Sequence, residues 1–147
     1  MKTLLATLLT ALALQSALAE GGNWVTDLPA AKAQAKKENK LVLIDFTGSD
    51  WCPPCKKLTA EVLSKQEFLD FATKHFVLVE IDSPRNKPQS AELKATNEKL
   101  KTDFAIQGVP TLIVVKPDGK EVWRKVGYSS GGPQPIITEL EGARKKS

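Results

Sequence analysis

Two nearly continuous apolar runs, LVLIDF at Leu41 to Phe46 and FVLVEID at Phe76 to Asp82, constrain this chain more than any other feature. Each is rich in branched residues and short for a helix. A strand without polar alternation has no face to give to water, so both of its faces must be covered. The segments around the runs supply that cover. AAKAQAKKENK, KKLTAEVL, QEFLDFATKH and AELKATNEKLKTDF read as helices, the last with Leu93 and Leu100 at helical spacing. Thr26 or Asp27 is placed to cap the first of them, with Pro29 in its first turn. GVPTLIVV reads as a third strand. VWRKVGY returns as a fourth after KPDGKE, where Asp118-Gly119 marks a hairpin turn. Ser83 to Ser90, SPRNKPQS, is a loop by composition, and Pro135 opens a closing helix. Strands alternating with helices and ending in a hairpin predict an α/β fold, a mixed central sheet flanked by helices.

The first residues read as an address rather than as fold. Lys2 precedes the apolar run LLATLLTALAL, and Ala17-Leu18-Ala19 offers small residues where a signal peptidase reads them. The expected organisation is a signal peptide at 1–19 and one domain at 20–147, with a disordered tail at 142–147. The run is short for a membrane span of about 20 residues. No cysteine follows the cleavage site, so no lipid anchor is expected. The expected location is the periplasm or the exterior, without stable membrane insertion after cleavage. The chain has a net charge of +4, but its cations are scattered among acids, and no aromatic residues interleave with arginine. That describes a solvated surface and argues against a nucleic-acid partner.

Both cysteines lie in SDWCPPCKKL. Cys52 and Cys55 close so small a loop that a disulfide between them would restrict the unfolded chain little. A structural staple is therefore a poor explanation. A zinc site would need two more ligands, and the single histidine, His75, is far along the chain. No metal is expected. Redox work fits better. Cys52 falls at a helix start and Cys55 one turn in, on the same face. The positive end of the helix favours a thiolate at Cys52, the species that attacks a disulfide, and Cys55 would resolve the product. Pro53 and Pro54 are tolerated in a first turn, stiffen it, and withhold two N–H donors from the Cys52 thiolate. Fewer donors make a weaker oxidant.

LVLIDFTGSDWCPPCKKL followed by GVPTLIVVKPDGKEV resembles the thioredoxin superfamily, in particular exported bacterial thioredoxin-like proteins of the thiol:disulfide interchange type. The likeness runs from about Asn23 to Leu140. It implies the thioredoxin fold and a redox-active disulfide between Cys52 and Cys55. It further implies a cis Pro110 facing the sulfurs, a substrate-binding edge at Val109, and a contact surface at Trp51. Asp45 takes the place of the buried carboxylate that accepts the Cys55 proton in that family. Two departures stand out. The stretch between Asp45 and Cys52 is one residue longer, and Leu78 stands where thioredoxins carry a buried lysine. Losing that cation should make Asp45 harder to ionise.

The function implied is protein-disulfide oxidoreduction, as a reductase or isomerase. The partners implied are protein disulfides or dithiols and a redox protein that recycles the dithiol. No cofactor is expected, since the two sulfurs carry the electrons. A net disulfide oxidase is one alternative. A non-catalytic client-binding module is another, although such a module would not need Cys55. Tryparedoxins and nucleoredoxins share the Pro-Pro pair and remain a distant alternative.

Overall fold

The computed structural model describes residues 23–147, so the leader read at 1–19 and residues 20–22 lie outside the described residues. The strands β1 (Trp24–Val25), β2 (Leu41–Thr47), β3 (Phe76–Asp82), β4 (Thr111–Val115) and β5 (Glu121–Val126) make one sheet. Their order is β1-β3-β2-β4-β5. β2 runs parallel to β3 and antiparallel to β4, so it lies at the centre of a mixed sheet.

Five helices cover the sheet: α1 (Leu28–Glu38), α2 (Pro53–Leu58), α3 (Gln66–His75), α4 (Ala91–Asp103) and α5 (Pro133–Lys145). One face of β2 carries Val42, Ile44 and Phe46, which pack with Leu28, Ala31 and Ala35 of α1 and with Leu100 and Phe104 at the end of α4. The other face carries Leu43, which packs with Leu58 of α2, Phe68 and Ala72 of α3, and Ile136 and Leu140 of α5. Successive β2 side chains therefore enter two different apolar layers, which is why LVLIDF lacks polar alternation. Asp45 shares the Leu43 face, the one covered by α2.

The helix starts follow local chemistry. Asp27 caps α1 by accepting the Ala30 N–H at 2.9 Å, with Pro29 in the first turn. Gly119 has a φ of +93° at the hairpin tip, a conformation glycine adopts without steric cost.

Four features differ from the sequence reading. β1 adds a fifth strand, two residues long, against β3. The segment Thr59–Leu63, within the helix expected after the cysteines, winds as a π-helix. α5 starts at Pro133 rather than Pro135. The tail expected to be disordered from residue 142 is helical to Lys145, where Ala143 is buried and Arg144 pairs with Glu141 at 2.7 Å. An apolar contact and an ion pair hold that last turn in place.

Candidate active site

β2 delivers the chain to a tight turn. The Gly48 carbonyl accepts the amides of Trp51 at 3.3 Å and Cys52 at 3.0 Å. A side chain at Gly48 would collide with the indole, because a Cβ there would lie 2.4 Å from Trp51 Cε2. Glycine is thus required by the close approach of Trp51. The turn is tied to the end of β3: Ser49 donates its N–H and hydroxyl to the Asp82 carboxylate at 2.9 and 2.5 Å.

The next residue reaches further. The Asp50 carboxylate accepts three successive amides, from Arg85, Asn86 and Lys87, at 3.0, 2.7 and 2.8 Å. The three donors, Arg85 first, hold Asp50 below its ordinary range. Trp51 donates its indole N–H to the Ser83 carbonyl at 2.8 Å. The Arg85 guanidinium lies over the indole, 3.7 Å from the ring centre. The loop after β3 is therefore fastened to the residues immediately before the cysteines.

Cys52 caps α2 and Cys55 lies in its first turn. They form a disulfide with their Cα atoms 5.2 Å apart. Both are buried, at 3% and 1% exposure. The Cys55 N–H donates to Cys52 Sγ at 3.3 Å. Pro53 and Pro54 occupy the intervening positions and offer no N–H, so one backbone donor reaches this sulfur within the turn.

Across from the disulfide, the peptide bond between Val109 and Pro110 is cis. The Val109 carbonyl oxygen lies 3.7 Å from Cys52 Sγ. Thr111 fastens this corner by donating its hydroxyl to the Gly108 carbonyl at 2.7 Å. A cleft of about 390 Å³ opens between the two segments, bounded by Trp51, Cys52, Pro53, Ile106, Gly108 and Val109. The structure thus brings Trp51, Cys52 and Val109 to one opening, with Pro110 buried beside it and Cys55 buried beneath.

Asp45 is 2% exposed and its Oδ1 has no hydrogen-bond partner. In the β2–β3 register it stands opposite Glu80, and Thr47 stands opposite Asp82. Alternation puts Asp45, Glu80 and Asp82 on one sheet face. Burial, then the Glu80 and Asp82 charges, push the Asp45 carboxyl up to about 8. Burial and Asp82 also raise Glu80, which Lys87 lowers in part. Leu78, the position read as a missing lysine, packs in the core beside Leu43. The expectation that Asp45 resists ionisation agrees with this environment, and Glu80 adds a cause the sequence reading missed.

His75 ends α3, immediately before β3, and its ring packs against Phe71 with centroids 5.1 Å apart. The cysteines follow the other end of the parallel partner β2, so strand length separates His75 from them by about 20 Å. Among the described residues no group of three or more His, Cys, Asp and Glu side chains is arranged to hold a metal ion. No helix among them is long and apolar enough to cross a membrane.

Gly48, Asp50, Glu80 and Arg85 escaped the sequence reading. Gly48 carried the one available signal, a glycine three residues before a tryptophan. The others act through partners more than 30 positions away, which spacing does not disclose.

Two sulfurs in one helical turn, with Cys52 bordering a cleft beside the Val109 backbone, meet the requirement for dithiol–disulfide exchange, and the site defines that class. The chain belongs to the thioredoxin-like domain family, whose profile matches residues 28–134. It is 33% identical over 115 residues to the disulfide bond reductase DsbH of Chlamydia pneumoniae, covering 78% of this chain and 69% of that protein. It is 31% identical over 119 residues to the thiol:disulfide interchange protein DsbD of Vibrio cholerae, covering 79% of this chain but 18% of that protein. A solved structure of a DsbH oxidoreductase superposes with a TM-score of 0.79 at 29% identity, covering 94% and 96% of the two chains. The reduced C-terminal domain of Neisseria meningitidis DsbD gives 0.61 at 28% identity, covering 79% and 93%.

Proposed function

We propose that this protein is an exported thiol:disulfide oxidoreductase that reduces or isomerises disulfides in other proteins. The observation that carries the reading is the cap of α2, where Cys52 receives one N–H, that of Cys55, across two prolines. A thiolate with few donors is stabilised little, so its dithiol gives up electrons readily. The apolar leader read at 1–19 supports export to the periplasm or beyond, and the printed name of the Chlamydia pneumoniae relative, a disulfide bond reductase, supports the reducing direction.

In this mechanism the Cys52 thiolate attacks one sulfur of a client disulfide. A mixed disulfide forms and the first client thiolate leaves. Val109 offers its backbone beside Cys52, and Trp51 and Pro110 border the client segment. Cys55 then loses its proton, for which Asp45 is the acceptor. The Cys55 thiolate attacks Cys52 Sγ, closes the Cys52–Cys55 disulfide, and releases the second client thiolate. Two electrons pass to the client, and its thiolates take protons from solvent. A protein dithiol of lower potential returns the electrons.

The test is insulin reduction by the mature chain, with a small thiol as electron donor. Turnover is expected from the wild type and none above background from Cys52→Ser, while Cys55→Ser accumulates mixed disulfides on Cys52. Equal turnover by all three proteins would overturn the assignment. N-terminal sequencing of the exported chain tests the address, with Glu20 expected as the first residue.

A further inference from the structure

Arg85 holds a guanidinium over Trp51, and Trp51 borders the cleft beside Cys52. The placement is built. Asp50 receives the Arg85 amide and the next two, and the Trp51 indole N–H is bound to Ser83. The Arg85 side chain is exposed and makes no ion pair or hydrogen bond among the described residues, so its planar face is stacked while its donors stay free. Lys101 borders the same cleft from α4, with Glu98 at 3.3 Å taking part of its charge. No acidic side chain borders the cleft. Asp50, the acid adjacent to Trp51, is already occupied by its three amides. A stacked guanidinium with free donors is suited to a carboxylate, which it can grip through two parallel hydrogen bonds.

We infer that this cleft selects client segments carrying an acidic side chain next to the reacting cysteine, with Arg85 over Trp51 receiving the carboxylate and Lys101 adding to the field. The inference rests on the oxidoreductase reading above and specifies its substrates. Cys52 thiolate still attacks the client disulfide as described, and the ion pair only raises the fraction of encounters that place the client sulfur beside Cys52.

The experiment uses three synthetic peptide disulfides, identical except for Asp, Asn or Lys on both sides of the cysteine. Each is mixed with the pre-reduced mature protein, and the second-order rate of disulfide exchange is followed by tryptophan fluorescence. The Asp peptide is expected to react about two- to fivefold faster than the Asn peptide, the range of a solvent-exposed ion pair. The Lys peptide should be slowest. The spread should shrink as salt is raised. Arg85→Gln should bring the Asp-to-Asn ratio close to one, while Lys36→Gln, an exposed cation on α1 outside this cleft, should leave the ratio unchanged. Equal rates for all three peptides with the wild type would overturn the selectivity alone, as would a ratio that survives Arg85→Gln. Failure of all three peptides to react would overturn the oxidoreductase reading, and the selectivity with it.

Discussion

Asp45 faces Glu80 across the central parallel strand pair, one carboxylate opposite another on the sheet face that α2 covers. Burial and this neighbour hold the Asp45 proton to a pH of about 8, against an ordinary value of 3.8. Between those values the folded chain binds a proton that the unfolded chain releases. Stability therefore falls as pH rises through that window. Asp45→Asn removes the loss. Its melting temperature should match the wild type near pH 4 and exceed it by roughly 5 °C or more at pH 8. Thermal melts at the two pH values check this, and equal melting temperatures at pH 8 would contradict it.

In the proposed mechanism Asp45 accepts the Cys55 proton, and the same pair would set the pH at which it does so. Glu80→Gln removes one of the two charges that hinder ionisation, so the pH profile of the resolving step should move down by roughly one unit. Asp45→Asn should flatten that profile. Single-turnover decay of a mixed disulfide on Cys52 gives the rates. An unmoved midpoint in Glu80→Gln would show that the Glu80 charge does not govern Asp45, leaving burial and Asp82.

Gly48→Ala puts a methyl group where the Trp51 ring lies, and the indole is held by its bond to Ser83. Overpacking of this kind costs about 1–3 kcal/mol. Chemical denaturation should show that loss, with slower client reduction because Trp51 leaves the cleft border. A variant of native stability would mean that the indole moves aside freely.

Asp50→Ala removes the common acceptor of three amides in the loop after β3. The loop should open, and trypsin should then cut after Arg85, where the wild type resists. Lys87 precedes Pro88 and should stay uncut in both. Equal resistance would show that Trp51 and Asn97, whose side chain bonds the Asp82 carbonyl at 3.0 Å, hold the loop by themselves.

The parts legible in the sequence were those written locally. LVLIDF and FVLVEID declared strands covered on both faces because each residue reports its own surroundings. Asp27 and Pro29 marked the start of α1, and Asp118-Gly119 the hairpin, through chemistry confined to four residues. The cis bond at Pro110 came from the family resemblance and is present in the structure. Features that depend on distant partners were not legible. β1 has two residues, too few for any periodicity, and exists because β3 offers it an edge. The π-helix at Thr59–Leu63 has the same apolar spacing as an α-helix on so short a span. ARKKS looks like a tail until Ala143 is seen buried against the core. Glu80 reads as an ordinary strand residue, and only the β2–β3 register places it opposite Asp45.

The redox equilibrium of Cys52 and Cys55 with glutathione tests the central claim most directly. Mass spectrometry of acid-quenched, alkylated mixtures gives the reduced fraction at each glutathione ratio. One backbone donor at Cys52, across two prolines, leaves the dithiol poorly stabilised as a thiolate. The potential should therefore lie closer to the thioredoxin value of about −270 mV than to the strongly oxidising value of about −120 mV. A potential near −120 mV would mean that the Cys52 thiolate is strongly stabilised in spite of the two prolines, and would contradict the reading of this protein as a reductant.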